Sequence, residues 1–301
     1  MSSLPNLVIA GVGKAGTTSL YWYLSQHPDV CAAAVKELRY FVPVGGGHPL
    51  PPIEEYARHF ARCGPARYRL EASPQYFHWG RPVAEAMRDT LERPRIIVML
   101  RAPVDRLWST YRFMRSRMAD VPQDLSFEGY VDRCLEVRER HERLDPDNVR
   151  YWTIEGSFYA EHLDPWIEVF GADLRIVFSE QLRAAPVAVV GDLFDWLGIE
   201  RAAADRITYT VENETIAYRS AWLQRLALLA NDERFLGSRR RLKEPLRRIY
   251  HAVNRRRAPE QMSPVTRRRL DELFASGNEA LARRLTELGY RDLPGWLDPH
   301  E

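Results

Sequence analysis

Residues 9–20 read IAGVGKAGTTSL, a run whose glycines are spaced to hold an anion. The pattern G-x-x-x-x-G-K-[ST] cradles phosphates with backbone amides and places its lysine directly after the second glycine. Here Gly11 and Gly16 supply the frame, Thr17 takes the lysine position, and the lysine, Lys14, lies inside the loop. A damaged triphosphate site, a chance glycine turn and a phosphate loop for another donor all fit that observation. Successive amides from Gly13 through Ala15, Gly16, Thr17 and Thr18 to Ser19, at the positive end of a helix, form an anion site that requires no metal. The hydroxyls of Thr17 and Thr18 add donors, and Lys14 is placed to meet an oxygen whose charge grows as a bond breaks.

A second group of anion-binding residues lies further on, in RIIVMLRAPVDRLWSTY. A kinase needs an acidic residue near such a strand end to hold magnesium. This run ends instead in Arg101, followed eight positions later by Ser109, a guanidinium fork and a hydroxyl for a second phosphate. Two anion pockets and no evident metal ligand fit a nucleotide phosphorylated at both its 5′ and 3′ positions.

Elements must position these groups. NLVIAG is a short β-branched run ending in glycine, as a buried parallel strand would read, and TTSLYWYLSQH has helical spacing up to Pro28. That order of strand, loop and helix argues against a chance turn. RIIVML at 95–100 repeats it, with Pro103 opening the following helix. LRIVFS at 174–179 lies between the amphipathic SFYAEHLDPWIEVF and VAVVGDLFDWLG, whose glycine at 198 reads as a helix stop, and YRLEAS at 68–73 is a fourth strand. Alternation of this kind predicts an α/β fold, a central parallel sheet flanked by helices in three P-loop-like layers. The core spans about residues 6–200 and a helical C-terminal portion about 215–301, all within one domain, 1–301.

The 301 residues, 45% hydrophobic and 28% charged with a net charge of +2, are ordinary globular material and give no support for coating nucleic acid. Three widely spaced cysteines, Cys31, Cys63 and Cys134, offer neither a disulfide framework nor zinc-ligand spacing, so buried thiols in a reducing compartment are expected. With no apolar run of about 18 residues and no basic-then-apolar N-terminus, the sequence is read as soluble, without a membrane span, and cytoplasmic. The basic run at 239–257 reads as a solvated helical face or as an attractor of anionic ligands. Oligomeric state is not legible.

Taken together, GVGKAGTTSL and RAPVDRLWSTY resemble the 5′-phosphosulfate and 3′-phosphate motifs of sulfotransferases that use 3′-phosphoadenosine 5′-phosphosulfate (PAPS). The likeness is to bacterial relatives of the heparan sulfate sulfotransferase domain, and extends through VKELRYF, LEASPQYF, GSFYAEHLDPWIEVFG and MSPVTRRRLDELF, covering about residues 6–290. It implies PAPS as co-substrate with 3′,5′-adenosine bisphosphate as product, no metal, and a small-molecule or glycan acceptor. It also implies that Glu37, in VKELRYF, is the general base and that Lys14 supports the leaving phosphate. Tyr159 is implied at the nucleotide, though it fits a helix core as well. Two family features are missing. Ala72 stands where glycan-modifying members commonly carry a lysine, and no cysteine-bounded loop near the C-terminus covers the nucleotide, so residues 211–220 or the basic run are candidates to close over it. Tyr40, Phe41, Tyr76, Phe77 and Trp79 are candidates to line an acceptor pocket. The alternatives are a metal-dependent small-molecule kinase and a nucleotide-binding module without catalysis.

Overall fold

A computed structural model describes residues 4–118, 120–145, 148–210 and 261–298. The proposed nucleotide cover at 211–220 and the basic run at 239–257 lie outside the described residues. Five strands form one sheet, β1 Leu7–Gly11, β2 Val30–Ala32, β3 Tyr68–Ala72, β4 Arg95–Leu100 and β5 Leu174–Phe178, in the order β2-β3-β1-β4-β5. All four pairings are parallel, with Leu7 opposite both Leu70 and Arg95, and Val98 opposite Ile176. Every residue of β1 and β3 is buried, as expected when helices cover both faces of a parallel sheet.

Among the described residues the α-helices are α1 Thr17–Leu24, α2 Val42–Gly45, α3 Ile53–Arg58, α4 Gly80–Thr90, α5 Pro103–Phe113, α6 Phe127–Glu139, α7 Tyr159–Phe170, α8 Ser179–Ala184, α9 Pro186–Leu197 and α10 Pro264–Glu287. The expected strand, loop and helix sequences at β1 and β4 are present, and Gly198 ends α9 in the left-handed conformation with φ 67°. Helix α1 stops at Leu24, short of the expected His27, where the bonds tighten to i→i+3: the Gln26 amide donates to the Tyr23 carbonyl at 3.2 Å and the His27 amide to the Leu24 carbonyl at 3.1 Å. Beyond Phe113 the chain continues as a π-helical turn, Met114–Met118. Strand β2 stands between α1 and Glu37, where one short strand is expected.

The chain divides into two compact units. One comprises residues 1–106, 156–213 and 271–301 and holds the whole sheet. Its core continues from the strands into Trp166 of α7, Phe194 of α9, and Leu281 and Leu285 of α10. The other comprises 107–155 and 214–270. Its helix α6 buries Phe127, Tyr130, Val131, Cys134 and Val137 at helical spacing and is capped by Ser126, whose hydroxyl accepts the Gly129 amide.

The cysteine expectation is corrected. Cys31 and Cys63 form a disulfide, while Cys134 is a buried free thiol whose pKa burial pushes up to about 12. The pair is 32 residues apart, and pairing of the β2 edge with β3 brings the two together. The bridge removes the cysteine argument for a reducing compartment. Among the described residues, no helix is long and apolar enough to cross a membrane.

The end of β1 is crowded. A Cβ on Gly11 would stand 2.4 Å from Phe77 Cβ, and Phe77 cannot retreat, because its ring stacks on Trp166 and its carbonyl accepts the Trp166 indole N–H at 3.0 Å. Gly11→Ala is therefore expected to cost about 1–3 kcal/mol in denaturant unfolding. Gly13→Ala, where a Cβ meets nothing within 4 Å, is expected to stay within about 0.5 kcal/mol of wild type.

Candidate active site

The β1 strand pairs with β4 up to Ile9–Ile97, skips Ala10, and resumes at Gly11–Val98, a bulge that bends the strand as it enters the loop. The Val12 amide then donates to the Met99 carbonyl at 2.8 Å. Val12 and Ala15 are fully buried and pin the loop from below, whereas Gly13 and Lys14 are half-buried and Gly16 is exposed. Gly16 sits at φ 92°, a left-handed turn that glycine adopts without a Cβ penalty, and it delivers the chain into α1. No side chain caps α1, so its first-turn amides, from Thr17, Thr18 and Ser19, have neither an intrahelical acceptor nor a capping side chain.

Two arginines orient this loop. Arg101 Nη1, from the end of β4, donates to the Lys14 carbonyl at 3.1 Å, and Arg106 Nε, from α5, donates to the Gly13 carbonyl at 3.0 Å. Burial lowers the Arg101 pKa; the Asp105 carboxylate opposes this and Arg183 reinforces it. Arg106 is itself buried. Its Nη1 donates to Ser157 Oγ at 2.6 Å, its Nη2 to His78 Nε2 at 3.3 Å, and its guanidinium lies 5.9 Å from the centre of the Tyr159 ring. Arginine has no acceptor, so His78 must accept. Burial, then the Arg106 charge, then His162 hold the His78 pKa well below its ordinary value, in keeping with a neutral ring. Tyr159 is core rather than surface: it is buried, and its hydroxyl donates to the Arg101 carbonyl at 2.9 Å. Burial pushes its pKa to about 12. Ser109 is half-buried on α5 and belongs to the second unit.

Glu37 lies just beyond β2, in a loop hydrogen-bonded to the end of β3, where its amide donates to the Ala72 carbonyl at 3.0 Å. Both Glu37 (φ 66°) and Arg39 (φ 56°) have left-handed backbone. The Glu37 carboxylate accepts from Lys36 Nζ at 2.8 Å and Arg39 Nη2 at 3.4 Å, and its side chain is 40% exposed. Partial burial works to raise its pKa, but the Lys36 and Arg39 interactions outweigh that and hold it below the usual carboxylate value.

Sequence reasoning missed two residues here. Arg106 is part of RAPVDRLWSTY, but it lies on the helix face opposite Val104 and Tyr111, so the apolar periodicity of α5 gives no signal for its burial. Glu71 is fully buried on β3 and accepts from the Tyr56 hydroxyl at 3.3 Å, the Tyr76 hydroxyl at 3.4 Å and Ser73 Oγ. Its signal is an acid in a strand covered on both faces. The expected aromatic pocket is corrected: Tyr40, Phe41, Tyr76 and Phe77 are buried, with Tyr40 stacked on Tyr56 at 4.1 Å and Phe41 edge-on to Tyr76, so they pack the core. Trp79 is half-buried and packs against Gly45.

The parallel neighbours β3, β1 and β4 thus carry at their carboxyl ends the loop with its lysine, an arginine and, through the loop bonded to Ala72, a carboxylate. The profile of the family described as "Sulfotransferase domain" matches residues 4–234. This chain belongs to the sulfotransferase family. It is 25% identical over 316 residues to the bifunctional heparan sulfate N-deacetylase/N-sulfotransferase of Drosophila melanogaster, which covers 98% of this chain and 27% of that protein. It is 29% identical over 210 residues to heparan sulfate glucosamine 3-O-sulfotransferase 3B1 of Mus musculus, covering 68% of this chain and 49% of the relative. The sulfotransferase chain thus spans half or less of the length of these relatives. A solved sulfotransferase from Alicyclobacillus acidocaldarius shares the fold, with a TM-score of 0.67 and 24% identity over 98% of this chain and 99% of that one. Among the described residues, no group of three or more His, Cys, Asp or Glu side chains could hold a metal ion.

Arg106→Met leaves the Gly13 carbonyl and Ser157 Oγ without their charged donor. The substitution is expected to cost about 2–4 kcal/mol in denaturant unfolding. Arg106→Lys is expected to recover only part of this, because one ammonium cannot span Gly13, Ser157 and His78 together.

Proposed function

We propose that this single sulfotransferase-like domain transfers a sulfuryl group from PAPS to a hydroxyl of a small molecule or glycan, with an amine as the second acceptor class. The observation that carries this reading is the loop after β1, whose Gly13 and Lys14 carbonyls are occupied by Arg106 and Arg101. With its carbonyls so engaged, the loop has the amides of α1 and the Lys14 ammonium to offer a phosphosulfate. Thr17 and Thr18 add hydroxyls, Gly13, Ala15, Gly16 and Ser19 complete the cradle, and the motif RAPVDRLWSTY supports Arg101 and Ser109 as holders of the 3′-phosphate. The relatives are named for heparan sulfate, on an amine in one and a hydroxyl in the other, which supports a glycan-type acceptor.

In the reaction, the acceptor oxygen attacks sulfur in line, and the bond from sulfur to the 5′-phosphate oxygen breaks. The electron pair leaves on that phosphate, giving 3′,5′-adenosine bisphosphate. Glu37 takes the acceptor proton, and Lys14 offsets the charge growing on the leaving oxygen. A carboxylate held ionised by Lys36 and Arg39 suits that role at neutral pH. No step is asked of a metal; positioning and fixed charge carry the catalysis.

Labelled PAPS incubated with the protein and a cell extract is expected to yield a product heavier by one sulfo group. Lys14→Ala and Glu37→Ala are each expected to lower turnover by about a hundred-fold or more, with Glu37→Ala still binding 3′,5′-adenosine bisphosphate by calorimetry in EDTA. Full activity in either variant would remove its proposed role. Binding of ATP only with magnesium would favour a kinase instead.

A further inference from the structure

The mechanism above makes no use of the most deeply buried acid in the sheet. We propose that Glu71 is a positioning residue for Glu37: its carboxylate, acting through Ser73 Oγ, anchors the 36–39 loop in the backbone conformation that presents the base. The inference rests on Glu37 being that base.

The connection is continuous. Ser73 Oγ donates its one proton to Glu71 Oε1 and accepts the Arg39 amide at 2.9 Å. An ionised carboxylate can only accept, so it directs the Ser73 proton toward itself and leaves the serine lone pairs to Arg39. Two hydrogen bonds then bracket the loop, Glu37 N to Ala72 O and Arg39 N to Ser73 Oγ. Two left-handed residues that are not glycine, separated only by Leu38, persist only where their surroundings over-determine them, and these two bonds are such surroundings. Arg39 also donates to the Glu37 carboxylate, so a shift of the Arg39 backbone moves the base.

The groups facing Glu71 come from every side: Tyr56 from α3, Tyr76 from the turn after β3, Ser73 from the end of β3, Lys36 from the base loop and, electrostatically, Tyr21 from α1. Burial pushes Glu71 up to about 7, against the hydrogen bonds from Ser73, Tyr76 and Tyr56 and the Lys36 charge. Glu37 itself titrates below the usual carboxylate value, so an activity limb near neutrality belongs to a different group. Protonating Glu71 gives it a hydrogen of its own to donate, which releases the fixed direction of the Ser73 hydroxyl.

The test measures kcat and KM for PAPS from pH 5 to 9, with the extract fraction that the wild-type protein sulfates as acceptor. In wild type, kcat is expected to fall as pH drops through about 7, with KM for PAPS unchanged. Glu71→Gln is expected to lower kcat at pH 8 by roughly ten- to a hundred-fold, to lose the limb near 7, and to speed amide hydrogen exchange over residues 37–41. Tyr56→Phe keeps the ring that stacks on Tyr40 but removes one donor to Glu71, so the limb is expected to move up by about one pH unit. If Glu71→Gln does not fold, Tyr56→Phe decides. A wild-type limb and kcat in the variants, with only a lower melting temperature, would show Glu71 to be purely structural and overturn the proposal. Full activity of Glu37→Ala would instead overturn the base assignment on which it rests.

Discussion

Two guanidinium groups take the carbonyl oxygens of Gly13 and Lys14, and the polarity of the whole site follows from that arrangement. A backbone loop presents donors and acceptors in equal number, and an anion is repelled by the acceptors. Once Arg101 and Arg106 occupy those acceptors, the first-turn amides of α1, which no side chain caps, are the groups the loop has left to offer. Arg106 can do this from a buried position because Ser157 and His78 accept its other N–H groups and the Tyr159 ring lies beside it. A buried cation without such partners would carry a large desolvation penalty.

The sheet order distributes the remaining parts. With β1 between β3 and β4 and every pairing parallel, the chain leaves all three strands at the same edge. The loop follows β1, Arg101 follows β4, and the Glu37 loop hydrogen-bonds to the end of β3. This is the edge at which open α/β sheets hold ligands, since the helices that follow there direct their positive ends toward it. The disulfide Cys31–Cys63 closes the outer side, joining β2 to the turn after α3, the helix that carries Tyr56 to Glu71.

Much of this was legible in order along the chain. The strands NLVIAG, RIIVML and LRIVFS, the helices that follow them and the glycine stop at 198 are local patterns, and each is present. Strand β2, three residues at the sheet edge, is too short to show a period. Aromatics at 40, 41, 76 and 77 are equally compatible with a pocket and a core, and only their burial separates the two. Glu71 reads as an ordinary polar residue until three hydroxyls are found around it.

The sequence by itself determined the chemistry on offer: an amide-rich loop with an internal lysine ahead of a helix, and an arginine where a metal-binding acid would stand. Those properties depend on residues within a dozen positions of one another, so spacing encodes them. The tertiary structure decided which groups restrain that chemistry. Arg106 meets Gly13 across 93 residues, Ser73 meets Arg39 across 34, and Cys31 meets Cys63 across 32. Contacts of that range exist only after the apolar strands have been buried side by side, and burial is also what moves the Glu71 carboxyl toward neutral pH.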